Sequence, residues 1–182
     1  FKKTQMLVAF NKPYRVLSQF TDEHGRQTLA DFIQIKNIYS IGRLDFDSEG
    51  LMLLTDDGKL KNALANPKQK VNKVYLVQVE GVAMKPALDN LTKGVLLKDG
   101  FAQAVKVKFL LKKPAFVWKR EPPIRQRLNS PTSWVEITIN EGRNRQVRRM
   151  MANVGLPVLR LIRLSVGEYK LEDLALGAHK VL

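Results

Sequence analysis

The sequence predicts an α+β fold for the 182 residues. Segments with the apolar pattern of strands and segments with that of helices are mixed, without the strict alternation of a doubly wound parallel sheet. No internal repeat and no low-complexity tract interrupts them. A chain of this length can form one good-sized domain or two tightly joined subdomains.

Short apolar runs bounded by turn residues predict the strands. These runs are residues 6–10, 37–42, 50–55, 74–79, 102–111 and 133–139, with one or two further strands within residues 157–167. In the run 74–79, Tyr75, Val77 and Val79 alternate onto one face. We therefore expect these three side chains to share one face of the strand.

Three segments have helical signals. Residues 59–66 end at Pro67, and a second helix over residues 84–94 ends at Gly94. In residues 145–155 the apolar side chains recur at the spacing of one helix face. They are Val147, Met150, Met151 and Val154. Residues 112–133 have no periodicity and several prolines, and they predict a long basic loop.

The charge balance favours a polyanionic partner. The chain has 31 Lys and Arg against 17 Asp and Glu, a net charge of +14. The stretch 103–120 contains six basic residues and no acid, and no basic amphipathic helix suggests a membrane surface. The alternative is an ordinary solvated surface. No run of about 20 apolar residues predicts a membrane span, and the absence of cysteine suits a reducing cytoplasm.

An acidic loop at residues 42–58 is unusual in so basic a chain. Its acids and Gly50 match the spacing of a calcium-binding loop, but the segments on both sides predict strands, whereas a calcium hand needs helices. The two histidines, His24 and His179, lie far apart in sequence and suggest no zinc site. We therefore expect no metal.

Four of these acids predict a solvated turn, and a fifth differs from them. The four are Asp47, Glu49, Asp56 and Asp57. Asp45 lies between Leu44 and Phe46, at the end of a predicted strand. A carboxylate in such a place either turns toward solvent or is paired inside the protein. The spacing alone does not distinguish these two arrangements.

Four ordered motifs resemble those of the pseudouridine synthases, in the form found in the RsuA-like branch that acts on ribosomal RNA. They are, in chain order, NKP (11–13), GRLD with SEGL and LLT (42–55), KVY (73–75) and EGRNRQVRRM (141–150). Together they resemble that branch's first motif, signature loop, tyrosine strand and arginine motif. Four motifs in order are far more specific than one alone.

The resemblance implies isomerisation of uridine to pseudouridine in ribosomal RNA, without a cofactor or metal. Asp45 would be the catalytic nucleophile or base, and Arg148 would pair with it. Tyr75 would present its ring to the target uracil. The alternatives are a phosphate contact for Arg148 and a core position for Tyr75. The substrate would be 23S rRNA of the large subunit, free or in an assembly intermediate.

The resemblance also predicts RNA contacts. The target uridine must leave its stack to reach Asp45, and Arg43 would fill the vacated place. The alternatives for Arg43 are a phosphate contact or a salt bridge with Asp47. The remaining predicted RNA-binding residues are basic positions of the motifs and of the long loop: Lys12, Arg143, Arg145, Arg149, Lys119 and Arg120.

For the whole chain, residues 1–182, the resemblance implies a single catalytic domain with two subdomains. It implies a mixed, mainly antiparallel central sheet, flanking helices and a catalytic cleft between the subdomains. We expect a monomer and no N-terminal RNA-binding domain of the ribosomal-protein type in this chain. The main rival hypothesis is a non-catalytic RNA-binding protein that assists ribosome assembly.

Overall fold

The computed structural model describes residues 5–125, 127 and 129–182. Its helices are α1 (Gly58–Ala65), α2 (Lys85–Lys93) and α3 (Gln146–Asn153). Its strands are β1 (Leu7–Lys12), β2 (Tyr39–Ile41), β3 (Glu49–Thr55), β4 (Lys73–Glu80), β5 (Val95–Leu97), β6 (Gly100–Ala102), β7 (Lys106–Leu110), β8 (Thr132–Ile139), β9 (Val158–Val166), β10 (Tyr169–Lys170) and β11 (His179–Val181). Within these ranges, no helix has the length and apolar character to cross a membrane.

Contacts between residues divide the chain into two compact units. Both ends of the chain belong to the first unit. The first unit holds the residues up to Val71 together with Arg163–Leu182, and the second is Asn72–Ile162. Strand β9 contributes residues 163–166 to the first unit and 158–162 to the second.

The first unit is built around β1 and β3, which pair antiparallel along their whole lengths. Strand β11 pairs with the other edge of β1, and β2 pairs with β3. Every residue of β1 and β3 is buried, as expected for strands covered on both faces. One face of the two strands forms an apolar core with Leu29, Ile33, Ile38 and Leu44.

The second unit contains an antiparallel sheet in the order β4, β8, β7. The predicted alternation in β4 is confirmed, because Tyr75, Val77 and Val79 all face one core. The predicted apolar face of α3 is confirmed as well. The fold is therefore α+β with mainly antiparallel pairing, as the sequence predicted.

The predicted strand over 102–111 is wrong, because the structure divides it between two ladders. Strand β6 pairs with β5 in a separate hairpin, whereas β7 pairs with β8. Between them the Ala104 amide donates to the carbonyl of Leu91 on α2, and the Val105 amide donates to that of Thr138. The apolar alternation changes phase at the adjacent pair Ala104 and Val105, which is where the chain changes ladders.

The described part of the long basic loop is irregular up to Pro131, as predicted, and is anchored to β9; residues 126 and 128 lie outside the described residues, and Thr132 already begins β8. Arg160, which is buried, donates from Nη2 to the Trp118 carbonyl at 2.9 Å, and its guanidinium lies 5.7 Å from the centre of the Trp118 ring. Arg120 donates from Nη1 to the carbonyl of Leu159 at 3.3 Å. These contacts hold the middle of the loop against β9 within the second unit.

Candidate active site

The loop that carries Asp45 connects β2 to β3, and the segment after β1 fixes its backbone. The Ser18 hydroxyl accepts from the Leu44 amide at 3.1 Å and donates to the Leu44 carbonyl. The Arg15 amide donates to the Phe46 carbonyl at 2.8 Å. The residues on both sides of Asp45 are thus tied to a second segment, which gives the backbone at Asp45 a defined position.

Asp45 itself begins a turn that leads into β3. The Ser48 amide donates to the Asp45 carbonyl at 3.0 Å, and the Asp45 side chain is partly buried. Leu44 before it belongs to the core of the first unit, and Gly42 supplies a positive φ of 68° at the bend. The carboxylate therefore sits where a buried residue meets a turn, accessible in part to solvent.

Lys12 is fully buried next to the acidic loop. It lies opposite Gly50 in the β1–β3 ladder, and its Nζ donates to the carbonyls of Pro13 and Val16 at 2.9 and 2.8 Å. Its ammonium does not face solvent, so the structure gives no support to the predicted RNA contact. Lys12 instead places its amino group inside the first unit.

Three acids of the loop influence the pKa of Lys12 through their charges. Burial lowers the pKa of Lys12 to about 7, while Glu49, Asp47 and Asp45 oppose that lowering through their negative charges. Arg163, also buried, adds a second positive charge and donates from Nε to the Leu51 carbonyl at 2.8 Å. The acids of the loop thus lie near two buried basic side chains, Lys12 and Arg163.

The prediction that Glu49 solvates a turn is wrong, since Glu49 is 1% exposed on β3. Asp57 does bond locally, whereas the Asp56 side chain bonds to a residue 50 positions away in the sequence. Asp56 Oδ1 accepts from the Met6 amide at 2.9 Å, and Asp57 caps α1 by accepting from the Lys59 amide at 2.9 Å.

Lys12→Met is expected to flatten the pH dependence of stability in alkaline solution. The pKa is about 7 in the folded state against an ordinary 10.5, so between these values the unfolded chain binds more protons. The free energy of unfolding should therefore rise with pH in this window and fall as pH drops toward 7, by at most about 1.4 kcal/mol per pH unit. Methionine removes this contribution.

Denaturant unfolding of wild type, Lys12→Met and the exposed control Lys61→Met across this pH range measures the effect. Groups other than Lys12 cancel in the comparison. Equal slopes in wild type and Lys12→Met would show that Lys12 does not titrate in the folded protein in this range.

The arginine motif precedes and begins α3 in the second unit. Gln146, buried at the start of the helix, donates to Glu141 Oε2 at 2.8 Å and accepts from the Arg143 amide at 3.2 Å. Arg145 is exposed and has a left-handed backbone with φ of 50°. Arg148 follows the buried Val147 and is partly buried.

Two of the predicted RNA-binding arginines contact one acid that the sequence did not single out. Arg149 donates to both carboxylate oxygens of Asp99, at 2.7 and 3.0 Å, and Arg143 donates to Asp99 Oδ1 at 3.1 Å. Hydrogen bonding by Arg149 lowers the pKa of the Asp99 carboxyl. The RNA contacts of both arginines stay predictions.

The other predicted site residues have varied environments. Tyr75 is 9% exposed on β4 and belongs to the core of the second unit. Arg43 is exposed in the first unit and donates to Gln19 Oε1 at 3.0 Å. Lys119 is exposed, 3.8 Å from Glu121, whereas Arg120 donates to backbone carbonyls of the loop and of β9.

The calcium-loop alternative does not fit the fold. Its fifth and sixth positions, Glu49 and Gly50, begin a strand, and Asp56 follows that strand directly. A calcium hand requires helices on both sides of the loop. Across residues 5–125, 127 and 129–182, no group of three or more His, Asp or Glu side chains could hold a metal ion.

Comparison with known proteins supports the resemblance. Residues 6–153 match the family described as RNA pseudouridylate synthase. Proteins named ribosomal large subunit pseudouridine synthase E are similar: that of Vibrio parahaemolyticus is 53% identical over 98% of this chain and 74% of its own length. That of Xanthomonas axonopodis pv. citri is 50% identical over 93% of this chain and 90% of its own length.

A solved structure also shares the fold. A crystal structure described as a pseudouridylate synthase superposes with a TM-score of 0.78 and 27% identity, covering 100% of this chain and 72% of that one. The sequence resemblance, the α+β fold and the family match agree with one another. The chain belongs to the RNA pseudouridylate synthase family.

Proposed function

We propose that the protein converts a specific uridine of 23S ribosomal RNA to pseudouridine. The family match over residues 6–153 supports the type of reaction, the isomerisation of uridine. The large-subunit substrate rests on relatives of 50–53% identity that are named for it. Family membership favours this enzyme over the rival hypothesis of a non-catalytic assembly protein, whose RNA groove would gain nothing from an acid that repels phosphate.

Asp45 is the proposed catalytic residue. In the reaction the bond from the sugar carbon C1′ to N1 of uracil breaks, and a bond from C1′ to C5 forms. An ionised carboxylate can act as a nucleophile or accept a proton in such a sequence. The fixed backbone around Asp45 supports this role, because a preorganised group loses little entropy on reaching its reactive position.

Arg148 and Tyr75 are proposed to act with Asp45. The guanidinium of Arg148 would stabilise the ionised carboxylate, and the ring of Tyr75 would contact the target uracil. The positions of these residues within the family-like motifs support both roles. The exposed Arg43 would take the place of the extruded uridine in the RNA stack, for which its accessible side chain is suited.

The basic surface of the second unit is proposed to grip the RNA backbone. Strand β7 lies at the sheet edge with Lys106 and Lys108 exposed, and the loop that follows exposes Lys112 and Lys113. Phe109 and Phe116 are about half exposed on the same stretch, at 45% and 52%. Cationic groups beside accessible aromatic rings suit single-stranded or splayed RNA.

The double substitution Lys112→Gln/Lys113→Gln is expected to weaken RNA binding and its dependence on salt. Loss of two phosphate contacts should reduce the slope of log affinity against log salt by about 1.4 to 1.8. Filter binding over a salt series measures it. Lys59→Gln/Lys61→Gln on α1 removes the same charge from the first unit and is the matched control. Equal slopes of log affinity against log salt for both variants would contradict local phosphate contacts by Lys112 and Lys113.

The choice of substrate is tested by tritium release. Forming the C1′–C5 bond expels the hydrogen at C5 of the uracil, so RNA labelled there loses tritium to water. We expect release from 23S transcripts or from large-subunit precursor particles, and none from 16S transcripts. Release from 16S RNA alone would overturn the substrate assignment, and release only from particles would identify an assembly intermediate. A monomeric state and a cytoplasmic location remain predictions.

A further inference from the structure

Asp99 occupies the turn of the β5–β6 hairpin, in which Leu97 pairs with Gly100. Its carboxylate receives three guanidinium hydrogen bonds of 2.7 to 3.1 Å, two from Arg149 and one from Arg143. Bidentate pairing of a guanidinium with a carboxylate fixes direction as well as distance. The hairpin turn is therefore fastened to residues on both sides of the start of α3.

Further hydrogen bonds lock the two arginines into this arrangement. Arg143 Nη2 donates to the Phe101 carbonyl at 2.9 Å, and its Nε donates to Glu141 Oε2 at 3.3 Å. Arg149 Nε donates to the Asn144 carbonyl at 3.0 Å. The same N–H groups cannot serve a phosphate at the same time. The arrangement thus favours a structural use of both guanidiniums over a contact with RNA.

We propose that Asp99 is a positioning residue that acts through Arg149 and Arg143 to set the orientation of the arginine motif. Arg149 directly follows Arg148, and Arg143 lies just before the helix, so fixing both defines the rotation of the first turn of α3. The proposal rests on the role of Arg148 proposed above. It adds a residue outside the four motifs to those on which turnover depends.

Asp99→Asn tests the proposal, because asparagine keeps the size of the side chain and removes its charge. We expect kcat for tritium release to fall by about 10- to 100-fold, since small displacements of catalytic groups cost this much. The KM for RNA should stay within a few-fold, and the salt dependence of binding should steepen because the arginines are released to meet phosphate. A loss of fold alone would not steepen the salt dependence.

Asp89→Asn is the matched control. Asp89 is a partly exposed acid of α2 in the same unit, and its side chain pairs with Lys85 at 3.0 Å. Its replacement changes the net charge equally. It should retain the wild-type kcat and salt dependence. A steeper dependence in both variants would overturn the proposal in favour of a general charge effect.

If Asp99→Asn folds poorly, Arg149→Gln tests the proposal instead, because it removes the same ion pair by a change on α3. It should lower kcat similarly, and the double variant should be no slower than the slower single variant, because both remove one interaction. Wild-type kcat in Asp99→Asn, or additive losses in the double variant, would overturn the proposal. No tritium release by the wild type would instead overturn the proposed function.

Discussion

Asp45→Asn is expected to abolish turnover while leaving RNA binding within a few-fold of the wild type. Asparagine has nearly the same shape but can neither attack as an anion nor accept the proton. Removal of a catalytic nucleophile costs about 10⁴- to 10⁶-fold in rate, so single-turnover tritium release should fall to background. Filter binding on the same RNA reports affinity independently.

Asp47→Asn is a suitable control, because it neutralises a second acid of the same loop that also lies near Lys12. It should retain most of the activity. If Asp47→Asn were as inactive as Asp45→Asn, the charge balance around Lys12 would explain the loss better than a catalytic carboxylate. A large loss of RNA affinity in Asp45→Asn would also count against a purely catalytic role.

Arg148→Gln is expected to lower kcat by about 10²- to 10³-fold with little change in affinity. An opposite charge close to a carboxylate supplies a few kcal/mol at the effective dielectric of a protein, and about 2.7–4 kcal/mol corresponds to this change in rate. The glutamine keeps hydrogen-bonding capacity and removes only the charge. Single-turnover tritium release measures the effect.

The double variant Asp45→Asn/Arg148→Gln separates pairing from a phosphate contact. If Arg148 acts through Asp45, the double variant should be no slower than Asp45→Asn alone. A phosphate contact predicts a different result: Arg148→Gln would weaken binding and flatten its salt dependence, whether or not Asp45 is present. That outcome would remove Arg148 from the catalytic set.

Local patterns were sufficient to predict most of the elements. The spacing of Val147, Met150 and Met151 reports directly which face of α3 is buried, and alternation in β4 does the same for Tyr75 and Val77. The prediction failed in residues 102–111, where the chain leaves one ladder and joins another within a single apolar-rich run.

The environment of the charged residues could not be predicted in this way. A lysine before a proline and a glutamate before a glycine look like surface positions, yet Lys12 and Glu49 are both buried. Their burial follows from the long-range register of β1 against β3, which places Lys12 opposite Gly50. The ordered motifs nevertheless identified the family.

Asp99 was missed for a related reason. An Asp-Gly pair between strands is ordinary turn chemistry, and nothing local distinguishes this carboxylate from that of Asp57, which caps a helix. Its partners Arg143 and Arg149 lie 44 and 50 residues further along the chain. Only the folded second unit shows that the turn and the arginine motif form one network.

The most direct test of the central claim is a map of pseudouridine in treated RNA. Unmodified 23S rRNA would be incubated with wild type or Asp45→Asn, with and without a chelator, then labelled with carbodiimide and read by primer extension. We predict one new stop that appears with the wild type only. An equal stop with Asp45→Asn, or a stop that the chelator abolishes, would contradict a metal-free synthase that depends on Asp45.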